Sequence, residues 1–385
     1  MCKSNRSKQN KRMNKNKKDV KIETQKASMM DEWPEPIVRV QSLAESNLSS
    51  LPDRYIKPVS QRPTMTEDAA PASINIPIID LEGLFSEEGS SDDVIMAKIS
   101  EACREWGFFQ VVNHGVRPEL MDAARENWRE FFHLPVNAKE TYSNSPRTYE
   151  GYGSRLGVQK GAILDWSDYY YLHHLPPHLK DFNKWPSSPP TIREVIDDYG
   201  KEVVQLCERI MRVLSSNLGL NEDKFQEAFG GKNIGACLRV NYYPKCPRPE
   251  LALGLSSHSD PGGMTILLPD DQVFGLQVRK DNTWITVKPH PHAFIVNIGD
   301  QIQILSNSTY KSVEHRVIVN SEKERVSLAF FYNPKSDIPI QPLQELVSTH
   351  NPPLYPPMTF DQYRLFIRTQ GPRGKSHVES HVSPR

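Results

Sequence analysis

Leu253–Asp271 reads LGLSSHSDPGGMTILLPDD. A histidine and an aspartate two positions apart in an extended segment project to the same side. Here His258 and Asp260 do so just before a Pro-Gly-Gly turn and the apolar run Met264–Leu268. Outward from this stretch the side-chain period is two, not 3.6. CLRVNYY from Cys237, MTILL, FGLQV, TWITV, FIVNIG, VEHRVIV and RVSLAFFY are short alternating or apolar runs separated by turn residues. Seven or eight strands at such spacing predict a sandwich or jelly roll.

Before Cys237 the pattern differs. A proline-punctuated linker (Pro52, Pro58, Pro63, Pro71) leads to INIPIIDL, a strand that Pro77 places at an edge. SDDVIMAKISEACREWG carries Ile95, Ile99, Ala102 and Trp106 at helical spacing behind Asp92 and Asp93 in its first turn. FFQVV reads as a strand, PELMDAARENWREFFHL as a helix opening on Pro118, and Thr191–Leu220 as a long amphipathic helix after a loop rich in Gly and Tyr. YRLFIRT near the end is helical again. The expected fold is mixed α and β, a jelly-roll core flanked by N-terminal helices and a C-terminal helix, within one domain.

Composition narrows the class. The chain has 385 residues and no apolar run long enough to span a bilayer. No apolar stretch of a secretory signal stands at its start. Cys2, Cys103, Cys207, Cys237 and Cys246 are scattered and never spaced CxxC, which points to reduced thiols in the cytoplasm rather than a disulfide framework or thiolate zinc. The zero net charge hides an asymmetry: residues 3–26 carry ten Lys/Arg against two acids, leaving 37 basic and 45 acidic residues elsewhere. That leader reads as solvated chain, with nuclear targeting, plastid transit and nucleic-acid binding as its alternatives. For the body, neither a nucleic-acid nor a membrane partner is expected, and no oligomeric state is specified.

A metal is the most economical reason for His258 and Asp260 to converge. VEHRVIV supplies His315 as a third ligand from a separate strand. Two imidazoles and a carboxylate on one face form the facial triad of non-haem Fe(II) oxygenases, whose remaining positions stay open to co-substrate and oxygen. Alone, the histidine–aspartate pair is equally a polar turn, and His315 a satisfied strand histidine. RVSLAFFY adds Arg325, Ser327, Ala329 and Phe331 on one strand face, and CLRVNYY adds Arg239, Asn241 and Tyr243 on another. An arginine beside a hydroxyl suits a carboxylate held bidentately.

His258-Ser259-Asp260, His315, Arg325-Val326-Ser327 and Asn241-Tyr242-Tyr243 together resemble the plant family of 2-oxoglutarate- and Fe(II)-dependent dioxygenases, with its double-stranded β-helix. The likeness runs from about residue 32 to the end and includes GFFQVVNHGV, Gly107–Val116. It implies that His258, Asp260 and His315 hold Fe(II), and that Arg325 and Ser327 bind the distal carboxylate of 2-oxoglutarate. Tyr243, with Asn241 nearby, would support that binding. Catalysis would need no side chain beyond the metal ligands, with O2 as oxidant and ascorbate as reductant. The implied division is a leader over 1–30, a helical region over 31–235, a catalytic core over 236–340 and a C-terminal segment with a pocket-closing helix over 341–385. Trp33–Pro58, Arg147–Gly157 and YRLFIRT resemble the jasmonate-induced oxygenase group in particular, which implies 12-hydroxylation of jasmonic acid. Flavonoid (leucoanthocyanidin-type) or gibberellin oxidation on the same scaffold is the alternative, and a catalytically silent binding jelly roll is a more distant one.

The substrate site follows from helical geometry. In TFDQYRLFIRTQ, Phe360, Arg364 and Arg368 fall within an arc of about 80°, with Ile367 about 20° outside it. With Arg239 these arginines would hold the substrate carboxylate, while Phe331 and Phe360 line an apolar wall. The alternative is that both helix arginines snorkel or pair with surface acids. His290 and His292 flank prolines in a turn, Asp270 and Asp271 read as a loop pair, and Cys246 as an inert loop thiol. GYGSRLG lacks the strand–helix context of a phosphate loop and reads as a flexible segment at the pocket mouth.

Overall fold

Among the described residues the chain forms fourteen strands, twelve of them in the two sheets of the core. The first five are β1 (Ile78–Asp80), β2 (Phe108–Val112), β3 (Gly151–Gly153), β4 (Asp168–Leu175) and β5 (Gly235–Tyr243). Then come β6 (Leu255–His258), β7 (Met264–Leu268), β8 (Leu276–Lys280) and β9 (Thr283–Thr286), followed by β10 (Phe294–Ile298), β11 (His315–Val317) and β12 (Arg325–Asn333). The structure is a computed structural model that describes residues 32–46, 48–63, 75–84, 92–370, 374–380 and 382. The basic leader, Cys2 and Pro71 lie outside the described residues, as does the side chain of Arg368.

Two sheets form the core. The larger has the order β1-β2-β10-β7-β12-β5-β4-β3, the smaller β6-β11-β8-β9. Their pairings are antiparallel except β1 with β2, and β1 is the edge strand that Pro77 predicts. The helices Asp92–Glu105, Pro118–His133 and Ile192–Ser216 cover the larger sheet. Ile99, Phe131, Val203 and Ile210 pack with Ile266, Phe294, Leu328 and Phe330 in one buried cluster. Helices thus close one side of the large sheet, and the small sheet encloses the other as a jelly roll. No helix among the described residues is long and apolar enough to cross a membrane.

Two expectations are corrected. The Gly- and Tyr-rich stretch before Thr191 is not all loop: it contributes β3 and β4 to the large sheet, and GYGSRLG begins as β3 rather than as a flexible segment. The reason is residue type. One face of β4 (Asp168, Tyr170, Leu172, His174) is buried and the other mostly half-buried, but Tyr and His stand on both, so no polar–apolar alternation shows in the sequence. The proline-punctuated segment is not a free linker either. Lys57 is buried, with Nζ 2.8 Å from Asp165 Oδ1 and 3.0 Å from Ser256 Oγ. Just before it, the short helix Val40–Glu45 is anchored through the Val40 and Gln41 amides, which donate to the buried Asp168 carboxylate at 3.0 and 2.8 Å.

Gly200 lies inside the helix Ile192–Ser216, where helix propensity alone favours alanine by about 1 kcal/mol. A Cβ there would overlap the buried His174 ring, which also stacks on Trp185. Gly200→Ala is therefore expected to destabilise by about 1–3 kcal/mol, as overpacking does. A thermal melt unchanged or raised in that variant would refute this packing. Burial, then the Lys180 charge, pushes the His174 imidazole down to about 4. A histidine lowered from its ordinary 6.5 is neutral in the fold, so its contribution is intact above pH 6.5 and lost as pH falls toward 4. Melts across that window should show the loss, and His174→Gln should flatten it.

Candidate active site

The β6–β11 pairing sets the two imidazoles side by side, because His258 and His315 are direct cross-strand partners with ring centroids 4.2 Å apart. Asp260 lies in the turn after β6, so the common side expected of His258 and Asp260 comes from a strand end plus a turn rather than one straight strand. Its Oδ1 is 3.5 Å from His258 Nε2 and 3.7 Å from His315 Nε2. The three ligand atoms lie within 4.8 Å of one another, and among the described residues no other such His/Cys/Asp/Glu cluster forms.

Every atom of this trio that does not face its centre is held elsewhere. His258 Nδ1 is 2.8 Å from the Ser256 carbonyl and His315 Nδ1 is 3.1 Å from the Val313 carbonyl. Those bonds place each ring proton on Nδ1 and leave Nε2 as a lone-pair donor, the tautomer a metal needs. Asp260 Oδ2 accepts from Thr265 Oγ1 at 2.6 Å and Asn297 Nδ2 at 2.8 Å, leaving Oδ1 for the centre. Burial, and then the neighbouring His258, push His315 down to about 4, so it is neutral at physiological pH. Burial opposes charge on Asp260 and His258 alike, yet the contacts within the trio outweigh it: Asp260 sits well below the usual carboxylate range and His258 above the ordinary histidine value. With His258 giving up its proton as a metal enters, two imidazoles and an ionised carboxylate fit a divalent ion.

The register of β12 against β5 sets the second part of the site. Arg325 faces Tyr243, Ser327 faces Asn241, Ala329 faces Arg239 and Phe331 faces Cys237. The two faces inferred separately from CLRVNYY and RVSLAFFY therefore meet on one wall. Arg325 Nε donates to the Val273 carbonyl at 3.1 Å and Nη1 to Ser327 Oγ at 3.2 Å, and the guanidinium lies 5.2 Å from the Tyr243 ring. Asp270 holds this geometry from behind, accepting the amides of Gln272, Val273 and Val326 at 2.9 Å each. It is a structural turn acid, as its sequence position suggests.

The His258–Asp260–His315 trio and the facing residues of β5 and β12 line one cavity of about 270 Å3. Phe331, Phe360, Ile367 and Leu156 supply apolar wall, and Arg239 and Arg364 supply charge. Arg239 Nε donates to Asn241 Oδ1 at 2.7 Å and its guanidinium stacks 4.3 Å from the Tyr169 ring. Asn241 thus touches the arginine directly as well as adjoining the Arg325 region. Arg364 bonds Asp361 through Nη2 at 2.7 Å and covers the Phe360 ring at 5.2 Å, while its buried Nε has no hydrogen-bond partner in the structure. Arg364 thus pairs with a surface acid, as one sequence alternative has it, and also lines the cavity. His290 and His292 lie elsewhere, on a proline turn near Gln110 and His114.

Sequence reasoning missed Thr265, Asn297, Tyr169 and His377, all pocket-lining. Asn297 had a signal: a polar residue in the middle of the apolar run FIVNI is informative, since buried polar groups need partners. His377 had none, because its helix Ser376–Glu379 returns to the pocket only through the tertiary fold.

Known proteins agree with this geometry. Residues 234–334 match the model of the 2OG-Fe(II) oxygenase superfamily, and residues 76–188 that of the non-haem dioxygenase in morphine synthesis N-terminal family. Jasmonate-induced oxygenase 2 of Arabidopsis thaliana is 90% identical over 373 residues, covering 97% of this chain and 100% of that protein.

The chain belongs to the 2OG-Fe(II) oxygenase superfamily.

It is a 2-oxoglutarate-dependent dioxygenase that works with Fe(II), 2-oxoglutarate and O2. Jasmonate-induced oxygenase 1 of the same plant is 77% identical, covering 96% of this chain and 92% of that one. A crystal structure of JOX2 in complex with 2OG, Fe and JA superposes with a TM-score of 0.86 at 88% identity, covering 92% of this chain and all of that one.

Proposed function

We propose that this dioxygenase hydroxylates jasmonic acid at carbon 12, lowering the pool of active hormone. The observation that carries the reading is a largely apolar cavity whose lining includes Arg239 and Arg364, beside the His258–Asp260–His315 trio. The named relatives and the JA-containing crystal structure support it. In this reading His258, Asp260 and His315 hold Fe(II), whose chemistry with 2-oxoglutarate and O2 yields succinate, carbon dioxide and one oxygen atom for an unactivated carbon. Arg325 and Ser327 grip the distal carboxylate of 2-oxoglutarate, with Tyr243 and Asn241 beside them. Arg239, Arg364 and Arg368 hold the substrate carboxylate. Phe331 and Phe360 press on its apolar body and exclude water from the reacting carbon. Ascorbate serves as reductant. The scattered thiols support a cytoplasmic enzyme, and the basic leader supports a nuclear share.

A flavonoid would need hydroxyl partners along the cavity, and one of the cavity's hydroxyls, Tyr169 Oη, is committed to the Arg155 carbonyl at 3.0 Å. A flexible acid needs only apolar walls and one anion site, which suits this lining better. Free jasmonic acid should therefore outcompete methyl jasmonate and jasmonoyl-isoleucine, since neither presents a carboxylate at that position. Competitive turnover of the three, read as product one oxygen heavier, tests this. Equal rates, or unchanged kinetics in Arg364→Ala/Arg368→Ala, would sink the clamp.

A further inference from the structure

A second cavity of about 670 Å3 adjoins the first and shares Leu156, Gly157, Tyr169, Arg239 and Leu255 with it. Its lining has the opposite character. Five cationic side chains (Lys57, Arg155, Arg239, Arg279, Arg316) face two carboxylates, Asp165 and Glu314. Both acids are already engaged: Asp165 Oδ1 takes Lys57 Nζ at 2.8 Å and Ser256 Oγ at 2.6 Å, and Glu314 takes Arg279 Nη1 at 2.8 Å and the Ser257 hydroxyl. Arg155 is likewise bonded to Glu35 at 2.8 Å.

Arg316 stands apart. It is 4% exposed, its Nε donates to Gln277 Oε1 at 2.8 Å and its Nη1 to the Gln61 carbonyl at 3.3 Å. Both partners are neutral, and among the described residues no carboxylate lies within ion-pair distance. Its guanidinium is stacked 4.2 Å from the Trp284 ring, and that of Arg279 lies 5.7 Å from the same ring. Glu314 favours its charge from beyond hydrogen-bond distance but is tied to Arg279 and Ser257, so among the described residues the buried guanidinium has no hydrogen-bonded counter-charge, and native structures pair such groups. Here the flat fork is pre-set by the indole and opens on a cavity large enough for a small organic ion.

We propose that this cavity is a second anion site, taking a small dicarboxylate on Arg316 and Arg279 over Trp284. The reaction itself makes such an ion, succinate, in the adjoining pocket, and Arg239 lines both spaces. The site is then a station that succinate occupies after leaving Arg325. It rests on the superfamily's common reaction and not on the identity of the organic substrate.

The test is equilibrium dialysis of labelled succinate against the full-length, metal-free chain carrying Arg325→Ala, which removes the co-substrate clamp. This variant should retain one succinate, and adding Arg279→Glu or Arg316→Gln should weaken it roughly tenfold or more, as expected for lost charge-assisted hydrogen bonds. Inorganic phosphate and acetate, run as competitors, should displace it poorly. Arg316 is buried and its replacement can cost folding, whereas Arg279 is on the rim, with 40% of its side chain exposed, and its variant keeps the test decisive. No succinate bound by Arg325→Ala, binding indifferent to Arg279→Glu, or phosphate preferred over succinate would each overturn the proposal.

Discussion

Asp260→Ala is expected to abolish turnover and strip the protein of metal. The substitution removes the one anionic ligand from a buried trio and leaves two imidazoles 4.2 Å apart with no charge to offset a divalent ion. It also orphans Thr265 Oγ1 and Asn297 Nδ2, whose shared acceptor is Asp260 Oδ2. Replacing either of those partners should cost about 10–100-fold in metal affinity, the usual effect of losing support behind a ligand. Loss of the ligand itself should exceed that. Iron content by elemental analysis after reconstitution reads the effect directly, and a thermal melt shows whether the chain still folds. Purified protein can carry zinc or cobalt in the same place, because affinity alone does not select iron. Reconstitution under anaerobic Fe(II) is therefore part of the measurement. A variant that folds, retains wild-type iron and turns over normally would refute the trio.

Arg325→Ala should act on the co-substrate alone. Arg325 is buried beside Ser327 and Tyr243, and its Nε and Nη1 are oriented by the Val273 carbonyl and Ser327. Losing a hydrogen-bonded charged partner removes about 1.5–3 kcal/mol, or roughly 10- to 150-fold in affinity. The KM for 2-oxoglutarate should rise by that order, while the KM for the organic acid changes little. The backing contact offers a further check. Asp270→Asn weakens the hold on Val273 and Val326, so it should raise the same KM by a smaller factor and lower the melting temperature. Equal effects of Arg325→Ala on both Michaelis constants would remove the case for a dedicated carboxylate clamp.

Most of the site was legible because its chemistry sits in short local patterns. His258 and Asp260 are two residues apart, Arg325 and Ser327 share one face of a strand, and Arg239, Asn241 and Tyr243 share another. Period-two geometry alone assigns those faces. Alternation likewise located the core strands, and Pro77 marked an edge that β1 in fact occupies.

Other features depend on distant chain segments and had no local signature. The pairing of His258 with His315, and of Arg325 with Tyr243, is a matter of register, and a slip of one residue would turn every side chain to the opposite face. The strands β3 and β4 escaped notice because Gly and Tyr in β3, and Tyr and His on both faces of β4, leave no polar–apolar alternation. Gly200 reads as a weak helix position until the His174 ring is seen to fill the space a methyl would need. Arg316 reads as one more strand residue, and only the fold buries it among neutral partners on the wall of a cavity. The sequence by itself thus determined which residue types face inward and what chemistry they carry, since that depends on backbone periodicity. Which of them meet, and which charges are left without a partner, only the tertiary structure decided, because long-range packing sets register, burial and cavity shape.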